Sequence, residues 1–106
     1  MNTNAWHAVC TTAKLKREKR VLFRHQQLQI LLLCVSESFF AIQNKCPHQG
    51  YPLDSGFIDP EAINITCPYH HWVFHLKSGK CQQNAAELPH YPIEDRDGQI
   101  WIQIPC

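Results

Sequence analysis

Two short segments near the middle of the chain each combine a cysteine with a histidine. Cys46-Pro-His48 comes first, and Cys67-Pro-Tyr-His70 follows. A proline directly after each cysteine restricts the backbone and is typical of a braced loop. Two thiolates and two imidazoles can bind zinc in a tetrahedron, or the two irons of an iron–sulfur cluster. The candidate metal ligands are therefore Cys46, His48, Cys67 and His70.

The order of the four donors favours iron–sulfur over zinc. Zinc modules usually pair Cys with Cys and His with His on short knuckles, whereas each segment here offers one residue of each type. Structural zinc stays open as the alternative, because its tetrahedral site also accepts two sulfurs and two nitrogens.

The residues around these four candidates resemble the two cluster-binding loops of Rieske ferredoxins. The resembling segments are Cys46-Pro-His-Gln-Gly-Tyr-Pro-Leu-Asp-Ser-Gly56 and Cys67-Pro-Tyr-His-His-Trp-Val-Phe-His-Leu-Lys-Ser-Gly79. The resemblance implies one [2Fe-2S] cluster per chain. It also implies that Cys46 and Cys67 hold an inner iron, and that His48 and His70 hold an outer iron near the surface.

Three positions depart from the respiratory-chain members of this family. Those proteins carry one further cysteine in each loop, joined as a disulfide, where this chain has Tyr51 and Tyr69. They also carry a serine that donates its hydroxyl to a bridging sulfide, where this chain has Trp72. Without that donor, the resemblance implies a reduction potential toward the lower end of the roughly −150 to +300 mV range of Rieske centres.

Two histidines depart from the ferredoxin pattern. His71 stands where a glycine is usual after the second-loop ligand, and His75 stands where an aspartate is common. If the backbone at residue 71 has a positive φ, a histidine there costs about 1 kcal/mol relative to glycine. We expect structural roles for both side chains, and we expect Trp72 to shield the cluster from water.

Length and composition indicate one globular domain. The chain has 106 residues, 44% of them hydrophobic, and a formal net charge of +1. We expect a single Rieske [2Fe-2S] domain over residues 1–106, with a cluster-binding subdomain at about 44–81. Basic residues concentrate in the segment 14–20, which is too short and too poor in aromatics to predict nucleic-acid binding. We interpret it as a solvated loop between strands, with docking of an acidic partner as the alternative.

The location is predicted from the absence of recognisable targeting patterns. The first seven residues, Met1-Asn-Thr-Asn-Ala-Trp-His7, do not resemble a signal peptide. The apolar run from Ile30 to Val35 is far shorter than the roughly 20 residues that span a bilayer. We therefore expect a soluble, cytoplasmic protein with no membrane contact.

Four further cysteines have irregular spacing and are expected to be free thiols, with Cys34 packed as a small hydrophobe: Cys10, Cys34, Cys81 and Cys106.

Short apolar segments separated by turn residues predict an all-β fold. We expect an antiparallel β-sandwich or partly open barrel with the cluster-binding subdomain inserted, and the resemblance implies the Rieske iron–sulfur fold. Asp97-Gly98 predicts a tight hairpin, and Ser36-Glu37 predicts a turn between neighbouring strands. We expect the side chains of Trp6 and Trp101 to pack in the core. The predicted strands are Trp6 to Cys10, Val21 to Arg24, Gln29 to Val35, Ser38 to Gln43, Ile63 to Thr66, Val73 to Leu76, and Ile100 to Ile104.

The resemblance implies an electron carrier without substrate chemistry of its own. We expect a ferredoxin that takes electrons from a flavin reductase and delivers them to an oxygenase or another redox enzyme. The first alternative is a small Rieske subunit of a larger reductase of the nitrite reductase type, and the second is a zinc-stabilised interaction module. The redox partners, and whether the chain is a monomer or a subunit of a complex, are not fixed by the residues.

Overall fold

A computed structural model describes residues 4–47, 50–69 and 71–105. The described residues form ten strands and one short helix, arranged as three antiparallel sheets. The elements in chain order are β1 (Asn4–Thr11), α1 (Thr12–Glu18), β2 (Arg20–His25), β3 (Leu28–Val35), β4 (Ser38–Gln43), β5 (Phe57–Asp59), β6 (Asn64–Thr66), β7 (Val73–His75), β8 (His90–Tyr91), β9 (Ile93–Arg96) and β10 (Gln99–Pro105).

The predicted all-β architecture is confirmed. Every strand predicted from the sequence is present, with ends that differ by at most two residues from the prediction. The predicted ranges leave out three strands: β9, which is implied only as the first arm of the hairpin at Asp97-Gly98, and β5 and β8, which have three and two residues. Strands this short carry too few alternating positions to produce a recognisable period-2 pattern. The limits of the domain and of its subdomain stay predictions.

Two tight turns have the backbone that their sequences predict. Asp97 and Gly98 have φ of 51° and 82°, and they join β9 to β10 in register, with Arg96 opposite Gln99. Ser36 and Glu37 also have positive φ, 50° and 66°, and they join β3 to β4. Two successive residues with positive φ match the right-handed twist of the adjoining strands.

The strand β3 lies inside a four-stranded sheet of order β2-β3-β4-β8 and is buried on both faces. Its side chains alternate between two separate cores, as the period of two in a strand requires. The cysteine core contains Leu31, Leu33, Val35, Ile42, Cys46, Leu53, Ile65, Cys67, Phe74, Leu76, Cys81 and Leu88. The helix core contains Leu15, Ile30, Leu32, Cys34, Ala41, Ile100, Ile102 and Ile104.

The small sheet β5-β6-β7 carries the residues next to the second candidate loop. It lies in the chain between β4 and β8, although these two strands are paired with each other, Ala41 opposite Tyr91. Ile65 and Phe74 are opposite each other in this sheet and both enter the cysteine core. The small sheet and the four-stranded sheet therefore share one apolar interior, and that interior holds the two cysteines.

The prediction of a loop for the basic segment is wrong, because residues Thr12–Glu18 form α1. The side chain of Thr11 accepts a hydrogen bond from the Lys14 amide at the start of the helix, and Lys19 ends it with a left-handed φ of 69°. Leu15 is the apolar anchor of this helix in the helix core. Two turns are too short for a helical period to stand out in a sequence. Within the described ranges, no helix is long and apolar enough to cross a membrane.

The prediction that Trp6 and Trp101 lie in the core is also wrong. Both side chains are only partly buried. The guanidinium of Arg96 lies over the two rings, 4.4 Å from the Trp6 centroid and 5.5 Å from the Trp101 centroid. The residues of β10 that enter the core are the isoleucines on its other face, as their alternation predicts.

Replacement by alanine should cost more stability at Gly79, in the turn after β7, than at Gly98, in the turn between β9 and β10. Gly79 and Gly98 both have positive φ, 75° and 82°. A Cβ at Gly79 would collide with the Leu88 carbonyl oxygen, whereas a Cβ at Gly98 meets nothing within 4 Å. We expect Gly98→Ala to cost about 1 kcal/mol of unfolding free energy, because alanine disfavours a left-handed backbone. Gly79→Ala should cost about 2 kcal/mol more, because the added methyl group also overlaps the backbone.

The measurement is chemical denaturation of the two variants beside the natural chain. Equal losses for Gly79→Ala and Gly98→Ala would show that Leu88 moves aside without cost. Such a result would contradict the close packing of this turn.

Candidate metal centre

Two of the four predicted ligands, Cys46 and Cys67, lie in the described part of the chain, and the fold brings them into the same core. Both have an exposed fraction of 0%. Cys46 follows β4, and Cys67 follows β6 directly. His48 and His70 lie outside the described residues, so their assignment as ligands stays a prediction.

The first loop is closed by backbone hydrogen bonds to Cys46. The Cys46 N–H donates to the Tyr51 carbonyl at 2.7 Å, and the Gly50 N–H donates to the Cys46 carbonyl at 2.8 Å. Gly50 has a φ of 77°, which reverses the chain inside the loop. The amide and the carbonyl of this cysteine are therefore both bonded within its own loop.

The second loop repeats this pattern at the same spacing. The Cys67 N–H donates to the Trp72 carbonyl at 2.8 Å, and the His71 N–H donates to the Cys67 carbonyl at 3.1 Å. His71 has a φ of 61° and stands four residues after its cysteine, as Gly50 does in the first loop. The backbone at residue 71 therefore has the positive φ for which the sequence predicted a cost of placing histidine there. The two loops present their cysteines through the same local backbone geometry.

A buried amide side chain closes the base of the first loop. The Oδ1 atom of Asn44 accepts from the Leu53 N–H at 2.8 Å, and its Nδ2 atom donates to Asp54 Oδ1 at 3.4 Å. Arg20 on β2 donates from Nη1 to the Asp54 carbonyl at 2.7 Å. Asn44 is not among the residues predicted from the sequence to belong to the site. Its only signal is a polar residue directly after an apolar strand, where a hydrogen bond must offset the cost of burying an amide.

Two tyrosines stack across the two loops. The ring centroids of Tyr51 and Tyr69 are 4.5 Å apart, and the ring planes make an angle of 25°. Their exposed fractions are 41% and 54%. The pair connects the loops at the two positions where the resemblance places a disulfide in respiratory-chain proteins. The contact is noncovalent, and an aromatic pair of this kind contributes about 1 kcal/mol beyond its buried area.

Trp72 and His75 take different positions near the second loop. Trp72 is partly buried and packs against the cysteine core, with its ring centroid 6.3 Å from that of Phe74. This packing agrees with the shielding role expected for Trp72, which stays a prediction. His75 lies at the end of β7 opposite Asn64 and is exposed.

The other described cysteines are free thiols, as predicted. Cys34 is buried in the helix core, and Cys81 is buried in the cysteine core. Burial raises the pKa of the Cys10 thiol, and this effect outweighs the opposing charge of Lys14. Cys106 lies outside the described residues.

The donor chemistry of the described residues fits an inner iron held by two thiolates. Cys46 and Cys67 belong to one apolar core, where a metal ion would be shielded from water and its charge would be balanced by thiolates. Among residues 4–47, 50–69 and 71–105, no group of three or more His, Cys, Asp or Glu side chains is placed to hold a metal ion. The other two predicted donors are not among these residues.

Comparison with known proteins gives a family match over nearly the whole chain. A family model described as a Rieske-like [2Fe-2S] domain matches residues 5–103. The 3-phenylpropionate/cinnamic acid dioxygenase ferredoxin subunit of Escherichia coli is 33% identical over 78 residues, which cover 72% of this chain and 73% of that protein. The solved ferredoxin of carbazole 1,9a-dioxygenase from Nocardioides aromaticivorans IC177 has a TM-score of 0.82 at 23% identity. That likeness covers 92% of this chain and 96% of the other, and it shows a shared fold.

Longer proteins also match. The 4beta-methylsterol monooxygenase of Methylococcus capsulatus is 30% identical over 115 residues, which cover 96% of this chain but 30% of that protein. A methylxanthine N1-demethylase of Pseudomonas putida is matched over 32% of its length. The chain therefore spans about a third of the length of these two curated relatives.

The strained backbone at residue 71 predicts a stabilising substitution. We expect His71→Gly to be more stable than His71→Ala by about 1 kcal/mol, because glycine adopts a left-handed φ without the clash of a Cβ. Both variants remove the imidazole, so their difference isolates the backbone effect. The measurement is the midpoint of chemical denaturation, and equal midpoints would contradict strain at this position.

The tyrosine stack predicts that one ring, and not its hydroxyl, holds the loops together. Tyr69→Ala should lower the unfolding free energy by about 1 kcal/mol and speed amide hydrogen exchange in residues 50–56 and 67–72, because the contact between the loops is lost. Tyr69→Phe keeps the ring and should behave like the natural chain. If the two variants exchange at the same rate, the stack does not tie the loops.

Proposed function

Because the chain belongs to the family of Rieske-like [2Fe-2S] domains, with one [2Fe-2S] cluster per chain, we propose that it transfers single electrons as a ferredoxin component. The proposed ligands are Cys46 and Cys67 for the inner iron, and His48 and His70 for the outer iron. The bound cluster supplies the one-electron chemistry, and the chain supplies its position, its surroundings and its exposure.

One observation carries this proposal. Cys46 and Cys67 come from separate loops, share one apolar core, and sit in the same hydrogen-bonded backbone pattern. A zinc knuckle has no need for two matched loops that each present one thiolate from a buried position. A cluster with two different irons does, because its sulfur-bound iron must be held inside while its imidazole-bound iron stays near the surface.

The described side chains have separate parts in this function. The cysteine core keeps water from the thiolates, which limits loss of the metal and lowers the local polarity. The stacked rings of Tyr51 and Tyr69 connect the two loops without a covalent link. Trp72 places an indole where the resemblance implies a serine hydroxyl, which removes one source of stabilisation for a reduced, more negative cluster.

The proposed partners are a flavin reductase as electron donor and an oxygenase as acceptor. One curated relative, of which this chain covers 73%, is a dioxygenase ferredoxin subunit. Solved relatives include a complex of reduced oxygenase and oxidized ferredoxin in carbazole 1,9a-dioxygenase. We propose no substrate chemistry for this chain. A place in a nitrite-reductase-type complex and a cytoplasmic location stay predictions from the sequence.

The test measures iron, acid-labile sulfide and electron paramagnetic resonance on freshly purified protein. We expect two irons and two sulfides per chain, a visible colour, and a paramagnetic signal after dithionite reduction, because [2Fe-2S] clusters become paramagnetic on accepting one electron. Cys67→Ser and His70→Ala should each abolish the signal. Cys10→Ser removes a thiol outside the cysteine core and should retain it.

Redox titration of the same sample tests the effect of Trp72. The potential should lie below about +100 mV, in the lower part of the range for Rieske centres. A colourless protein that contains zinc would instead support the interaction module. A signal that survives both Cys67→Ser and His70→Ala would contradict the ligand assignment.

A further inference from the structure

An exposed glutamine uses both ends of its side-chain amide on the backbone of the second loop. The Nε2 atom of Gln83 donates to the His71 carbonyl at 2.9 Å. Its Oε1 atom accepts from the Val73 N–H at 2.9 Å and from the Cys81 thiol at 3.4 Å. Each polar atom of this amide therefore has a bonded partner, although the side chain is exposed to solvent.

These two backbone bonds bracket the residue that closes the loop. Trp72 lies between His71 and Val73, and its carbonyl accepts the Cys67 N–H at 2.8 Å. The amide of Gln83 therefore holds the peptide groups before and after Trp72, the residue whose carbonyl accepts the hydrogen bond from Cys67. It also holds the carbonyl of His71, whose left-handed φ of 61° is unfavourable for a residue with a Cβ. A turn with this backbone needs an external contact to persist.

The main chain around Gln83 is itself anchored, so the side chain acts from a fixed point. The Gln82 N–H donates to the Val73 carbonyl at 2.7 Å, and the Cys81 N–H donates to the Ala86 carbonyl at 2.9 Å. Cys81 is buried in the cysteine core. Because its own backbone is anchored, the Gln83 side chain can restrain the loop, whereas a freely moving surface glutamine cannot.

The first loop contains the same device in a buried form. Asn44 also places one amide group across its loop, accepting from the Leu53 N–H and donating to Asp54. The two cysteine-bearing loops thus each have an amide side chain that bonds to their backbone. The difference is exposure, because Asn44 is buried and Gln83 meets solvent.

We propose that Gln83 is a positioning residue for the second loop, and that it sets the reduction potential and the retention of the cluster through the backbone at 71–73. This inference rests on the proposed function. The orientation of loop N–H groups toward sulfur is one of the main determinants of the potential of an iron–sulfur cluster. Groups that orient metal ligands from behind typically change metal affinity by about 10- to 100-fold when removed.

Two substitutions separate the hydrogen bond that the Gln83 amide donates from those that it accepts. Gln83→Ala removes all three, to the His71 carbonyl, the Val73 N–H and the Cys81 thiol. Because the side chain is exposed, this truncation opens no cavity in the core. Gln83→Glu keeps an oxygen that accepts from the Val73 N–H but loses the donor to the His71 carbonyl. Gln82→Ala is the matched control, since it truncates the neighbouring exposed glutamine while its backbone N–H still bonds to Val73.

The experiment uses the cluster-loaded full chain and three readouts. These are the reduction potential, the g-values and line widths of the paramagnetic signal after reduction, and the rate at which a chelator removes iron. We expect Gln83→Ala to shift the potential, broaden the signal, and lose iron about tenfold faster than the natural chain. Gln83→Glu should give values between those of Gln83→Ala and the natural chain. Gln82→Ala should match the natural chain in all three readouts.

The outcomes distinguish this inference from the proposed function. If the natural chain holds its cluster and both Gln83 variants match Gln82→Ala in all three readouts, the positioning role is overturned while electron transfer stands. If Gln83→Ala retains no cluster but Gln83→Glu and Gln82→Ala load normally, the positioning role is supported. If the natural chain contains no iron and no sulfide, the proposed function fails and this inference fails with it.

Discussion

Keeping two cysteine-bearing loops closed around one apolar core is the constraint on which the rest of the structure depends. Each loop solves it with the same two backbone hydrogen bonds and one residue in a left-handed conformation, four positions after the cysteine. The first loop uses Gly50 at that position, where the conformation is easy. The second uses His71, where it is strained, and an external contact must hold the backbone. The loops are alike in geometry and unequal in how much support they require.

That inequality explains where the polar side chains are placed. Asn44 closes the first loop from within the core, and Gln83 closes the second from the surface. Tyr51 and Tyr69 then tie the two loops to each other by ring stacking. None of these contacts is covalent, so the loops can adjust to a bound cofactor, and their rigidity depends on several weak interactions acting together.

The four-stranded sheet makes such an arrangement possible because β3 is buried on both faces. One set of its side chains supports the helix core, and the alternate set forms a wall of the cysteine core. The two cysteines are therefore packed against a central strand, which supports them in addition to their own loops. The small sheet β5-β6-β7 contributes Ile65 and Phe74 to the same core, so that Cys46 and Cys67 are enclosed while Tyr51 and Tyr69 stay exposed.

The sequence by itself determined the strands with clear alternation, the hairpin at Asp97-Gly98, and the four candidate ligands, because these depend on local patterns and on donor chemistry. It also predicted the strain at His71 conditionally, from the residue type alone. Only the tertiary structure decided that Asn44 and Gln83 brace the loops, that Tyr51 meets Tyr69, and that the basic segment is a helix anchored by Leu15. Those features depend on contacts between residues that are separated in the chain, or on a helix too short for its periodicity to be recognised in the sequence. A side chain's partner is set by the packing of whole elements, and no local pattern carries that information.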